Sequence, residues 1–142
     1  MPYDPYMVQP MREELTRLGF IEALTAEDVD KEIKNTRGTT LVVVNSVCGC
    51  AAGKARPGIA LAMESDVKPE KLVTVFAGQD VEATARAREY FPGYMPSSPS
   101  MGLLRDGQLV FMMERHDIEG QDALAIANRL AAAFHEYCGT RA

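Results

Sequence analysis

The 142-residue chain is 46% hydrophobic and 25% charged, the make-up of an ordinary globular protein that can bury a core without covalent staples. Its 15 Lys and Arg against 20 Asp and Glu leave a formal charge of −5, which argues against nucleic acid or an anionic membrane as a partner. No run approaches the ~20 apolar residues of a membrane span, and Met1 to Tyr6 has neither the basic start nor the apolar core of a secretion signal. A cytoplasmic protein is expected, where structural disulfides are rare. Its three cysteines, an odd number with Cys48 and Cys50 one residue apart, then point to redox or metal chemistry.

In chain order, Pro10-Met11-Arg12-Glu13-Glu14-Leu15 opens a helix with Met11, Leu15 and Leu18 on one side, and Gly19 interrupts it. Thr25 caps a second helix through Val29 and Ile33, with Glu27 and Asp28 in its first turn. Gly38 breaks that pattern. Thr40 to Asn45 is continuously apolar and β-branched at its centre, as a strand covered on both faces should be. Ser46-Val47-Cys48-Gly49-Cys50 follows, then an alanine-rich helix from Ala51 to Met63 that Pro57 should kink or interrupt.

Leu72 to Ala77 reads as a second buried strand, and Asp80 as the cap of a helix from Val81 to Tyr90. Ser100–Leu104 and Gln108–Met113 flank Asp106-Gly107, the signal of a tight hairpin. Asp117 to Gly120 leads into a last amphipathic helix bearing Leu124, Ala127, Leu130, Ala131 and Phe134. The order predicts an α/β fold: a central mixed sheet flanked by helices on both faces. No repeat or charged block divides it, so residues 1–142 form one expected domain, with 1–38 a helical N-terminal extension packed on it.

Cys48-Gly49-Cys50 carries the chemistry. The reactive form of cysteine is the thiolate, and the unpaired N–H groups and dipole of a helix start favour it. Gly49 keeps side-chain bulk away from the two sulfurs, leaving room for an incoming disulfide. Residues two apart in a turn can reach the ~4.4–6.8 Å between α-carbons that a disulfide needs, in a small strained ring suited to exchange. Two inert thiols filling space beside a strand are the bland alternative, but cysteines paired around glycine at a helix start fill a core poorly. Metal binding by Cys50, Cys138, His116 and His135 is a second alternative; the matched ligand pairs of a zinc site are missing, so no metal is assigned.

These elements resemble a thioredoxin fold, with Pro57 after the redox motif and Pro99 ahead of the Asp106-Gly107 turn. The resemblance makes Pro99 the cis-proline facing the cysteines, with Ser98 offering backbone groups to a bound substrate strand. More narrowly, the chain resembles the bacilliredoxin (YphP/YqiW) family. The matching stretches are Pro10 to Thr16, Asn45 to Gly53, Ala55-Arg56-Pro57, Val75 to Asp80, Pro96 to Ser100 and Arg115 to Gly120. The motif departs from the thioredoxin C-x-x-C by one residue, so thioredoxin's own activity does not carry over.

The resemblance implies a thiol–disulfide oxidoreductase that removes bacillithiol, a low-molecular-weight thiol some bacteria use in place of glutathione, from mixed disulfides on cytosolic proteins. Cys48 would be the nucleophile and Cys50 the resolving thiol, unless a second bacillithiol resolves instead. No cofactor would be bound; bacillithiol is the co-substrate, and a reductase recycles the enzyme. Arg56 and Arg115 are the candidate contacts for bacillithiol's carboxylates. The same chemistry could instead serve a protein disulfide isomerase or oxidant, and a non-catalytic metal-binding or redox-sensing module is the alternative of another class. Cys138, at the end of the last helix, reads as structural, with a second resolving thiol or an intermolecular disulfide as its functional alternative. His135 suits a helix C-terminus, and His116 has no assigned role.

Overall fold

A computed structural model of the chain describes residues 2–139. Five strands form one sheet in the order β1-β3-β2-β4-β5. β1 (Ile21–Glu22), β3 (Lys71–Phe76) and β2 (Thr39–Asn45) run parallel, while β4 (Ser100–Arg105) and β5 (Gln108–Met113) are antiparallel additions beside β2. All seven residues of β2 are buried, because its two faces alternate between separate cores. Leu41 and Val43 pack with α3 (Arg56–Ala62) and α6 (Ala123–Tyr137) through Ile59, Ile126, Leu130 and Phe134. Val42 and Val44 pack on the other side with α2 (Ala26–Ile33) and α4 (Val81–Arg88) through Val29, Ile33, Ala83 and Ala87. No helix among the described residues is long and apolar enough to cross a membrane.

Several elements differ from the sequence expectation, each for a local reason. α1 (Pro5–Thr16) starts a turn and a half before Pro10: Asp4 caps it by accepting from the Tyr6 N–H at 2.9 Å, and Pro5 occupies the first-turn position where a missing N–H is harmless. Val8 and Leu15 bury its inner side, so the helix carries Pro10 in its interior. The first 38 residues are not all helical, since β1 lies among them; two residues are too few to show periodicity, and the Ala23 N–H extends the pairing to the Thr74 carbonyl at 2.9 Å.

Asp80 sits at the start of α4 without capping it. Its carboxylate takes a two-point ion pair from Arg12 at 2.7 and 2.9 Å and the Phe76 N–H at 3.1 Å, anchoring α1 to the end of β3. Pro57 does act on its helix, through the turn before it: residues Ala51–Ala55 form a π-helical turn in which the Arg56 N–H reaches back to the Ala51 carbonyl. α5 (Arg115–Glu119) is a separate five-residue helix, closed at its start by reciprocal bonds between Glu114 and Asp117. The hairpin forms at Asp106-Gly107 with φ of 51° and 80°, the doubly left-handed turn that matches strand twist.

The site-bearing helix α3 lies close against α6 at Gly58. A β-carbon there would stand 2.7 Å from Ile126 Cγ2 and 3.1 Å from the Ala123 carbonyl oxygen. Gly58→Ala gains about 1 kcal/mol of helix propensity but overpacks the interface by about 1–3 kcal/mol. The expected result is a lower urea midpoint for Gly58→Ala, whereas Gly53→Ala, open on all sides, should not lose stability. Equal midpoints for the two variants would show that α6 yields freely.

Candidate active site

The cysteine loop leaves the C-terminal end of β2 and turns into the helix through the short segment Ser46-Val47-Cys48. Asn45 Oδ1 accepts the Ser46 N–H at 2.8 Å, and the buried Ser46 hydroxyl oxygen accepts the Cys48 N–H at 3.0 Å. The Cys48 carbonyl accepts from Ala51 and Ala52 at 3.0 and 3.1 Å, which begins the helical turn. Burial alone pushes the Cys48 thiol up, but hydrogen bonds from the Ser46 hydroxyl and the Ala51 and Cys50 N–H groups, with the charge of Arg115, leave it below a free thiol's ordinary value. Cys48 therefore meets donors on several sides.

Cys50 meets an acceptor. Its half-buried Sγ packs against the core and lies 4.0 Å from Glu119 Oε2, to which the thiol donates. That same oxygen accepts Arg115 Nε at 3.2 Å, and the Glu119 carbonyl accepts from Lys54. Arg115 Nη1 in turn donates to the Ser98 carbonyl at 3.2 Å, while the Arg115 N–H bonds to Ser97 Oγ at 3.3 Å. The Ser98–Pro99 peptide bond is cis. The guanidinium of Arg115 is held charged by Glu119 first and by Cys48 second. Arg115 thus joins the Pro99 loop to both cysteines.

Glu119 is the site residue that sequence reasoning missed. The available signal was its place four residues after Arg115, the spacing of a helical ion pair, but so short a helix showed no periodicity. Gly49 is exposed, and a β-carbon on it would meet nothing within 4 Å, so no contact inside the chain requires glycine there.

The remaining sequence candidates lie elsewhere. Arg56 does not face a substrate: it is only 3% exposed, with Nη1 bonded to Asn45 and Ser46 and Nε ion-paired with Glu14. Nothing in its flanking sequence marks a buried ion pair, so the sequence alone does not separate it from Arg115 as a carboxylate contact. Cys138 lies beside Thr39, Glu70 and Arg105 at the start of β2, a seven-residue strand (about 20 Å) from Cys48, so it cannot resolve a disulfide there within one chain. Burial pushes its thiol up. Among the described residues, the ligating side chains that converge are Glu114, His116 and Asp117, and this group contains neither Cys50, Cys138 nor His135.

These environments predict selective labelling. With iodoacetamide at neutral pH, Cys48 should react and Cys138 should be spared, as read by peptide mass spectrometry, and Cys48 labelling should slow as pH falls through its lowered value. Ser46→Ala should shift that profile to higher pH. Faster labelling of Cys138 would contradict the assignment.

Comparison with known proteins agrees with this architecture. A family model described as disulphide isomerase matches residues 3–138. A bacilliredoxin of Koribacter versatilis is 59% identical over 140 residues, covering 99% of this chain and 97% of that protein. A bacilliredoxin of Staphylococcus aureus is 54% identical over 144 residues, with 99% of both chains covered. Among solved structures, one with a thioredoxin fold aligns over 78% of this chain and 91% of its own with a TM-score of 0.59 at 14% identity. Thioredoxin from Fasciola hepatica aligns over 80% of this chain and 97% of its own, with a TM-score of 0.55 at 21% identity. On a thioredoxin fold, with identity above half along nearly its whole length, the chain belongs to the bacilliredoxin family of oxidoreductases.

Proposed function

We propose that the protein is a thiol–disulfide exchange enzyme that removes bacillithiol from mixed disulfides on cytosolic proteins through Cys48 and Cys50. The observation that carries this reading is the unequal surroundings of the two sulfurs. Cys48 is ringed by N–H groups, a hydroxyl and Arg115, while the Cys50 thiol donates to Glu119. A pair so arranged has one thiol ready to attack and a second close behind it.

In the proposed reaction the Cys48 thiolate attacks the bacillithiol sulfur of a modified protein. The protein's thiolate leaves and takes up a proton, and a Cys48–bacillithiol disulfide remains. Cys50 loses its proton and attacks the Cys48 sulfur, which expels bacillithiol and leaves a Cys48–Cys50 disulfide. A reductase supplies the two electrons that restore both thiols. Alternatively a second bacillithiol attacks the first, giving bacillithiol disulfide and free Cys48. Arg115, 43% exposed and beside Cys48, is placed to attract bacillithiol's carboxylates. Ser98, whose carbonyl Arg115 already holds, retains its N–H for a bound strand.

Cys48→Ala should abolish release of bacillithiol from a bacillithiolated test protein. Cys50→Ala should still release the protein thiol and accumulate a bacillithiol disulfide at Cys48, seen as an added mass. Equal release by wild type and Cys48→Ala would sink the proposal. The disulphide isomerase family match keeps a second reading open, action on protein disulfides. Faster rescue of a scrambled disulfide protein than removal of bacillithiol would favour it.

A further inference from the structure

Behind the cysteine loop lies a guanidinium for which the exchange reaction has no direct use. Arg56 Nη1 donates to Asn45 Oδ1 at 2.9 Å and to the Ser46 carbonyl at 2.8 Å, and Nε lies 3.1 Å from Glu14 Oε1 of α1. Asn45 Oδ1 accepts the Ser46 N–H as well, and Asn45 Nδ2 donates to the Met11 carbonyl at 3.1 Å. Ser46 is therefore held at both backbone polar groups, and its hydroxyl is left to face Cys48, whose N–H it accepts at 3.0 Å. Burying an ion pair is rarely the most stabilising use of such a position. What this one supplies is geometry: Nη1 holds the end of β2 while Nε sits in an ion pair with Glu14, so three elements meet at one rigid planar group.

We propose that Arg56 is a positioning residue for Cys48: balanced by Glu14, it clamps the end of β2 so that the Ser46 hydroxyl stays against the nucleophilic sulfur. This rests on the reading of Cys48 as the nucleophile. Arg56 never touches a reacting atom and acts through Ser46. Loosening the clamp lets the hydroxyl turn away and removes a hydrogen bond that only the thiolate can fully exploit. The helix N–H groups and Arg115 remain, so Cys48 becomes a slower nucleophile without becoming an inert one.

The test is the pH profile of Cys48 alkylation by iodoacetamide in the full chain, resolved by peptide mass spectrometry. Arg56→Met should move the profile to higher pH and slow labelling at neutral pH by up to about tenfold, the thiolate lost in a one-unit rise. Glu14→Gln, at a half-buried position, should move it the same way by less. Ser46→Ala should reproduce the Arg56→Met shift, and the double variant should add little to either single change, because both remove the same contact. Arg56→Lys, which keeps the charge on a single point donor, should recover part of the shift.

An unmoved profile in Arg56→Met, with only a lower melting temperature, would overturn the proposal, as would full additivity with Ser46→Ala. If Arg56→Met does not fold, the same cycle run with Glu14→Gln decides it. Iodoacetamide needs no disulfide substrate. Failure to release bacillithiol with these shifts intact would therefore count against the proposed reaction and leave the clamp standing.

Discussion

The burial of β2 on both faces is the constraint from which the rest of the structure follows. A seven-residue strand whose side chains alternate between two cores cannot slip by one residue without exchanging the contents of both. β3 and β4 pair along nearly its full length, parallel on one side and antiparallel on the other. Whatever leaves its C-terminal end starts from a strand held on both edges and packed on both faces. The cysteine loop leaves from there, and the helix it enters lies back on the same sheet against α6. In the proposed exchange, two sulfurs that meet a disulfide in line would gain from such a mount, since attack tolerates little misplacement.

The polarity between the two cysteines, begun at Cys48 by the Ser46 hydroxyl and the helix N–H groups, is completed by the short helix α5. Arg115 and Glu119 are one turn apart, so a single guanidinium–carboxylate pair spans the site. Its cationic end reaches the Ser98 carbonyl and faces Cys48, while its anionic end accepts from Cys50. An isolated surface pair of this kind contributes little stability. Its value here lies in direction: residues two apart in sequence acquire unlike surroundings that neither the CGC motif nor the helix start could impose alone.

Much of the fold was legible because long, strongly patterned segments dominate it. The continuous apolar run of β2, the Asp106-Gly107 turn and the stripe of the last helix each force one local answer. The start of α1 was misplaced because two prolines compete for one role, and burial of Val8, which no local pattern shows, chooses Pro5. β1 was missed because a strand of two residues exists only through β3. At the site, the cysteines stood out by their own chemistry. The two arginines offered beside them were equivalent as sequence and opposite in fact: Arg115 faces Cys48, and Arg56 is sealed behind the loop. The difference is set by α1, which returns from more than forty residues upstream of Arg56 to lay Glu14 on its guanidinium.

The polar cluster behind the cysteine loop follows from how abruptly the chain turns. Passing from a buried strand into a helix within a few residues leaves the Ser46 carbonyl without a ladder partner and without a helical one. The approach of α1 brings the Met11 carbonyl to the same place. An apolar side chain at 56 would pack there but strand the Ser46 carbonyl, at a cost of about 1–3 kcal/mol. Asn45 is the complementary piece, since one amide accepts from Ser46 and Arg56 while donating to Met11. The guanidinium then needs an anion, because a buried cation left alone costs more than it returns, and Glu14 supplies it from the half-buried flank of α1. The turn that presents Cys48 to solvent thus requires the buried charge beneath it, and that charge in turn requires α1.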